Sequence, residues 1–240
     1  MRASVRPAEG LGWRMPAAFT LVLETSTPHA SLGMAAADGG FSCREFASDR
    51  NHNALLFGPL AELLDGVPLA ALERVVVGSG PGSYSGTRVG IAAAEGVALA
   101  AGCAAVAVPS LLAVPTAVAG NECLFIGDAR RGSFWTAHAI ANRLVEEPAL
   151  TDAAGLAAAV GAAVARGVAV ISFEAAGRFP GLGEMAGRVT LEYPTAAGLW
   201  QAWQRADEAT RRAWAAVPPQ PIYLKPPHIT AAKRPWLVPS

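Results

Sequence analysis

The stretch that most constrains this chain is Val75-Val-Val-Gly-Ser-Gly-Pro-Gly-Ser-Tyr-Ser-Gly-Thr-Arg-Val-Gly-Ile91. Val75, Val76 and Val77 are consecutive and β-branched, which predicts a buried strand. Gly78, Gly80 and Gly82 around Pro81 predict a sharp turn, and from about Ser85 the pattern is helical with no proline before Pro109. A strand, a glycine-rich turn and a helix N-terminus make a cradle for an anion, because free amides and the helix dipole favour negative charge. The same string also serves as a tight strand-to-helix connection with no ligand.

Known phosphate and nucleophile motifs do not account for the loop. A P-loop needs a lysine followed by Ser or Thr, and the segment has no lysine. Either register of the dinucleotide fingerprint puts a serine, Ser83 or Ser85, where the third glycine belongs. In Gly82-Ser-Tyr-Ser-Gly86 the serines flank the centre that a nucleophile elbow needs. In the helix that follows, Gly86, Gly90, Ala94 and Ala98 fall four apart, leaving one face nearly bare of side chain. Such a face admits close approach by another element, of this chain or of a second one.

Charge and cysteine content exclude several classes. Nineteen basic residues balance 19 acidic ones in 240, so no global field steers the protein to nucleic acid or membrane. Cys43, Cys103 and Cys123 form no CxxC pair, which argues against a zinc site or a disulfide framework and fits a reducing compartment. The apolar windows Val89–Val108 and Ala153–Phe173 are mostly alanine and carry Glu95 and Arg166, so they read as soluble helix and strand. Arg2, Arg6 and Arg14 are followed by no apolar h-region, so the start is not a secretory signal.

Along the chain, residues 1–17 have proline and glycine without periodicity, which predicts a flexible extension reaching to residue 18. Phe19 to Thr27 reads as a strand ending in a polar turn, and Ala30–Ala36 as its hairpin return. Asp49 opens a helix through about Leu64, with Leu56, Leu60, Leu63 and Leu64 on one stripe. Leu124–Ile126, Trp135–Ala141, Val168–Phe173 and Val189–Leu191 read as strands and Gly155–Ala165 as a helix. A final helix after Pro194-Thr195 carries Trp200, Trp203 and Trp214 near one face, as core anchors. Asp128 with Arg130 and Arg131 reads as a hairpin tied by an ion pair in preference to an anion site. The four histidines, His29, His52, His138 and His228, are far apart in sequence, so no metal set and no catalytic set can be assembled.

The string from Val76 to Gly90 closely resembles the signature of the TsaB (YeaZ) proteins, with Tyr84, Ser85 and Thr87 where the family usually has Phe, Thr and Leu. Further likeness lies in Glu24-Thr25-Ser26-Thr27 (Asp-Thr-Ser-Thr in the family), His52, Asp128-Ala-Arg-Arg-Gly132 and Pro221-Ile-Tyr-Leu-Lys225. The resemblance implies an α/β fold of two actin-like, ribonuclease H-like lobes with mixed sheets. Residues 19–108 plus 196–225 would form the first lobe, 109–195 the second, and 226–240 a tail.

It implies a non-catalytic subunit that pairs with the catalytic TsaD and a small ATPase, TsaE, to put threonylcarbamoyl on tRNA. The protein would be cytoplasmic, a homodimer when alone, in contact with tRNA through the complex and with no membrane. Thr25, Ser26, Thr27, Gly80, Gly82 and Ser83 would form a degenerate nucleotide loop, with no tightly bound cofactor and ATP or ADP held weakly at most. His52, Leu56, Leu60, Leu63, Gly86, Gly90, Ala94 and Ala98 would form the interface. The catalytic relatives carry two metal-binding histidines on the helix that starts at His52, and Leu56 excludes an i, i+4 pair here. The rival readings are a free-standing nucleotide-binding module and a glycoprotease-like hydrolase.

Overall fold

Two five-stranded sheets carry the fold. The computed structural model describes residues 18–47 and 52–224, with side chains from Leu55 onward in the second stretch. The expected extension and tail, Lys225, and the helix start at Asp49 lie outside the described residues. The first sheet holds β1 (Phe19–Glu24), β2 (His29–Ala36), β3 (Phe41–Ala47), β4 (Leu72–Gly78) and β5 (Ala104–Val108) in the order β3-β2-β1-β4-β5. The second holds β6 (Cys123–Asp128), β7 (Phe134–Ile140), β8 (Arg143–Thr151), β9 (Ala169–Ser172) and β10 (Val189–Leu191) in the order β10-β9-β6-β7-β8.

In each sheet the first three strands form an antiparallel meander and the last two run parallel to the first. The two halves therefore repeat one plan, and the chain is α/β with two mixed sheets. Parallel neighbours need long crossovers, supplied here by helices α1 (His52–Leu64), α2 (Tyr84–Ala101) and α4 (Ala153–Ala165). A short α3 (Pro115–Val118) precedes the second sheet, and α5 (Ala196–Arg205) and α6 (Glu208–Ala215) return to the first.

The central strands are apolar on both faces because both faces are covered. Successive residues of a strand point to opposite sides, so Leu21, Leu23, Val75 and Val77 join a cluster with α1 and α2. Val22 and Val76, between them, face the other way into a cluster shared with Phe125, Trp135 and Ile171 of the second sheet and with Leu199 and Trp203 of α5. Leu124, Ile126 and Val170 turn to a third cluster with Leu156 and Val160 of α4. Across the back, the β7–β8 turn ties to the helices of the first sheet. Asn142, at φ 61°, donates its side-chain amide to the Ala202 carbonyl (3.2 Å), and Arg143 lies 3.5 Å from Asp207.

Two strands escape the sequence reading. The β3 edge strand is largely exposed and charged, and β8 contains Pro148 beside two glutamates. The single final helix expected from the tryptophans is instead two. Ala206 takes an extended conformation (ψ 138°), and Asp207 caps α6 by accepting from the Thr210 amide at 2.7 Å. Trp203 is buried, and Arg74 and Arg211 lie 5.5 and 5.6 Å from its ring centre.

The small-residue face also needs correction. Gly86, Gly90, Ala94 and Ala98 are buried against the chain's own first sheet, and so are Leu56, Leu60 and Leu63. These seven residues form core within the chain itself. The reason is local: the turn after β1 passes directly under α2, and a Cβ at Gly90 would collide with Thr25 Oγ1. On the outer side of the same helix, Gly96 faces open space. Gly90→Ala should therefore cost about 1–3 kcal/mol in urea unfolding. Gly96→Ala should gain up to about 1 kcal/mol from helix propensity alone. Equal effects of the two changes would contradict this assignment of faces.

Candidate functional site

The turn after β1 and the glycine loop after β4 interlock at one end of the first sheet. Thr25 Oγ1 donates to the Gly86 carbonyl (2.8 Å), and the Ser83 amide donates to the Ser26 carbonyl (2.6 Å). Gly82 is packed so closely on Ser26 that a Cβ would strike the Ser26 carbonyl oxygen. Gly80, at φ 82°, turns its amide to Ser110 Oγ (3.0 Å) and its carbonyl to the Ser110 amide (3.0 Å). Ser83 caps α2, its Oγ accepting from Gly86 N–H (3.2 Å) and its carbonyl from Thr87 N–H (3.0 Å). The amides of Gly80, Ser83, Gly86 and Thr87 are thus engaged within the chain.

Glu24, the last residue of β1, is fully buried. Its Oε1 accepts from the Ser26 amide at 2.7 Å. Its Oε2 has no hydrogen-bond partner and lies against Gly78, close to Ser110. Burial pushes the carboxyl pKa up, and the Ser26, Ser110 and Thr25 dipoles around it offset only part of that shift. Where the family resemblance places an acid for a metal or a phosphate, this carboxyl sits beneath the glycine loop as part of the core.

Between the two sheets lies a cleft of about 580 Å³, within the range of ligand-binding pockets. Of the six loop residues singled out in the sequence, Ser26, Thr27, Gly82 and Ser83 line it, whereas Thr25 and Gly80 are buried behind them. The opposite wall comes from the end of β6 through Arg130, from Trp135, and from Phe173 and Glu174 just after β9. Residues 221–224 close a third side. Their Ile222 amide donates to the Ser79 carbonyl (2.9 Å), and Tyr223 stacks on Tyr84 with ring centres 5.6 Å apart.

Polar groups on the second wall form one network. Asp128 accepts from the Arg130 amide (2.7 Å) and from the Arg178 guanidinium (2.6 Å), so the expected Asp–Arg hairpin is present with a further arginine from a distant turn. Glu174 accepts from the Asp128 amide (2.7 Å), and burial is the main cause that raises its pKa. Arg130 and Arg131 both have positive φ, 68° and 57°, in the tight turn between β6 and β7, as Ala141 and Asn142 do between β7 and β8.

Of His52 only the backbone is described, at the start of α1. His138 bonds Glu122 (2.9 Å) and His29 stacks on Tyr193 (4.1 Å). Among the described residues no three His, Cys, Asp or Glu side chains converge as a metal site, and no helix is long and apolar enough to cross a membrane. Glu174 and Tyr223 had not been singled out as site residues. The signal for Glu174 was its place just past the carboxyl end of a buried strand, where open α/β sheets bind ligands.

The buried carboxyl gives a pH test. A folded-state pKa above the unfolded value means that protonation stabilises the fold below about 4.5, and this contribution is lost as pH rises through the folded value. Glu24→Gln keeps the acceptor for Ser26 and removes the ionisation. Its melting temperature should gain on the parent's as pH rises from about 5 to about 8. A difference that does not change with pH would show that Glu24 is ionised in the fold.

Comparison with known proteins agrees with this architecture. The model of the TsaD family, tRNA N6-adenosine threonylcarbamoyltransferase, matches residues 34–179, more than half of the chain. None of the curated proteins matches it in sequence. A Pseudomonas aeruginosa protein of known structure, described as uncharacterised with similarity to peptidase YeaZ, is 21% identical with a TM-score of 0.64, covering 87% of this chain and 100% of its own. YeaZ from the same organism has the same identity and TM-score over 86% of this chain and 100% of its own. At that identity the two structures share the fold, and the family rests on the match across most of the sequence: the chain belongs to the TsaD family.

Proposed function

We propose that the protein is a non-catalytic accessory subunit that pairs with a TsaD-like catalytic subunit in the complex forming threonylcarbamoyladenosine on tRNA. The observation that carries this is Leu56, fully buried in the first core one turn after His52. The family resemblance puts the second metal histidine of the catalytic members at that place, and a core leucine cannot serve as a ligand. Support also comes from Glu24, which is sequestered under the glycine loop. ATP or ADP is accordingly held weakly at most. In this reading the protein acts in the cytoplasm, forms a homodimer when alone, meets a TsaE-like ATPase in the complex, and reaches tRNA through it.

The pairing surface is placed on the outer faces of α1 and α2, because the inner faces are core. Leu55, Phe57 and Leu99 are exposed there by 43%, 59% and 86%, large apolar side chains on adjacent helices of one layer. The combined variant Phe57→Glu, Leu99→Glu should keep its melting temperature and bind the TsaD-like protein of the same organism at least about tenfold more weakly by co-elution. Unchanged pairing would remove this surface from consideration. The isolated protein should show no threonylcarbamoyl transfer or peptide hydrolysis, and titration with ATP and magnesium should give no saturation below about 100 μM. Turnover that survives repurification of the metal-supplied protein would overturn the accessory role.

A further inference from the structure

The cleft holds two buried side chains whose polar atoms the chain itself leaves unused. Trp135 is 7% exposed, and its indole Nε1 lies over Gly127, where a Cβ would strike it. Thr87, on the α2 side of the cleft, is 3% exposed, with Oγ1 beside Gly80. Both residues line the cleft, and among the described residues neither the indole N–H nor the Thr87 hydroxyl makes a hydrogen bond. The Ser26 hydroxyl is sealed off, whereas these two are not. A buried tryptophan N–H ordinarily finds an acceptor, and a polar group left without one needs an explanation. Thr87 also stands where the signature string of the resembled family has leucine, so its hydroxyl is a departure from that string.

The third group is an acceptor. Glu174 takes the Asp128 amide on Oε2, and its Oε1 makes no hydrogen bond among the described residues. Asp128 is matched by Arg178 and Arg130. With Glu174 beside them, the wall has no surplus positive charge to hold a phosphate or a carboxylate. Phe173, Ile126 and Leu224 line the same cleft with apolar surface. An occupant that fits has oxygens that accept from Trp135 and Thr87, a hydrogen to give Glu174, and an apolar face. A hydroxyl performs both polar tasks, because it carries one donor and two acceptor lone pairs. A ring bearing several hydroxyls also offers C–H faces to apolar side chains.

We propose that the cleft binds an uncharged polyhydroxylated ring, of monosaccharide or cyclitol size, through Trp135, Thr87 and Glu174. The indole N–H and the Thr87 hydroxyl donate to ligand oxygens from facing walls, and Glu174 accepts from a ligand hydroxyl. A cleft of about 580 Å³ has room for such a ring and some water around it. The assignment goes beyond the accessory role and does not depend on it, since it uses no residue on the outer faces of α1 and α2.

The test is isothermal titration calorimetry of the full chain with D-ribose, D-glucose and myo-inositol. Inorganic phosphate and putrescine serve as charged controls. At least one of the three neutral compounds should saturate with a Kd below about 1 mM, and neither control should bind as tightly. Trp135→Phe keeps an aromatic wall and deletes the donor, and Thr87→Val keeps the shape and deletes the hydroxyl. Each should weaken the tightest neutral ligand about three- to tenfold, the loss of one hydrogen bond. Glu174→Ala should weaken it at least as much, and Glu174→Gln, which keeps an acceptor, should weaken it less.

Melting of each variant checks the fold. If Trp135→Phe, which alters the shared core, melts early, Thr87→Val and the half-buried Glu174 variants carry the test. The proposal is overturned if none of the neutral compounds saturates below about 1 mM. Tighter binding of phosphate or putrescine also overturns it, as does unchanged affinity in folded Thr87→Val and Glu174→Ala. No partner is present in this assay, so failure here is distinct from failure of the pairing with a TsaD-like subunit.

Discussion

The clasp between the turn after β1 and the loop after β4 decides most of what this structure can do. Two hydrogen bonds, Thr25 Oγ1 to the Gly86 carbonyl and the Ser83 amide to the Ser26 carbonyl, join segments about sixty residues apart. Their closeness requires glycine at positions 82 and 90, where any side chain would strike the turn. It also seals Glu24 beneath the loop.

Much of the architecture was legible because strand and turn signals are local. The valine run, the glycine turn and the alternation in Phe19–Glu24 each fix an element without reference to the rest. What local patterns cannot show is which side of an element meets which neighbour. The four-residue spacing of Gly86, Gly90, Ala94 and Ala98 marks close approach correctly, but the approaching group is the chain's own Thr25, a partner that only the folded chain identifies. Edge strands were missed for a related reason. In β3 and β8 one face or more is solvated, so charge and proline are tolerated where a buried strand would exclude them. In the cleft, the loop residues were visible as motifs, whereas Glu174 and Tyr223 become neighbours of that loop only through the second sheet and the last described segment.

The relation between this chain and its family separates fold from chemistry. Two sheets repeating one strand order are a scaffold on which different sites can be built. Here two positions that the family resemblance singles out lie within the packing, a leucine in the core at position 56 and a glutamate sealed at the end of β1. Polar groups remain concentrated on the second wall and at the rim.

The apolar cluster shared by the two sheets has a consequence for how the molecule moves. Val22 and Val76 from one half and Phe125 and Ile171 from the other bury their side chains in the same interior, with α5 between them. Neither half retains a complete interior without the other, so the two should melt as one cooperative unit despite their repeated plan. The same continuity makes the rear of the cleft a fixed axis. Any widening at the rim is a rotation about that axis, and the separation it gives Tyr84 from the Arg130–Arg131 turn grows with distance from the shared core.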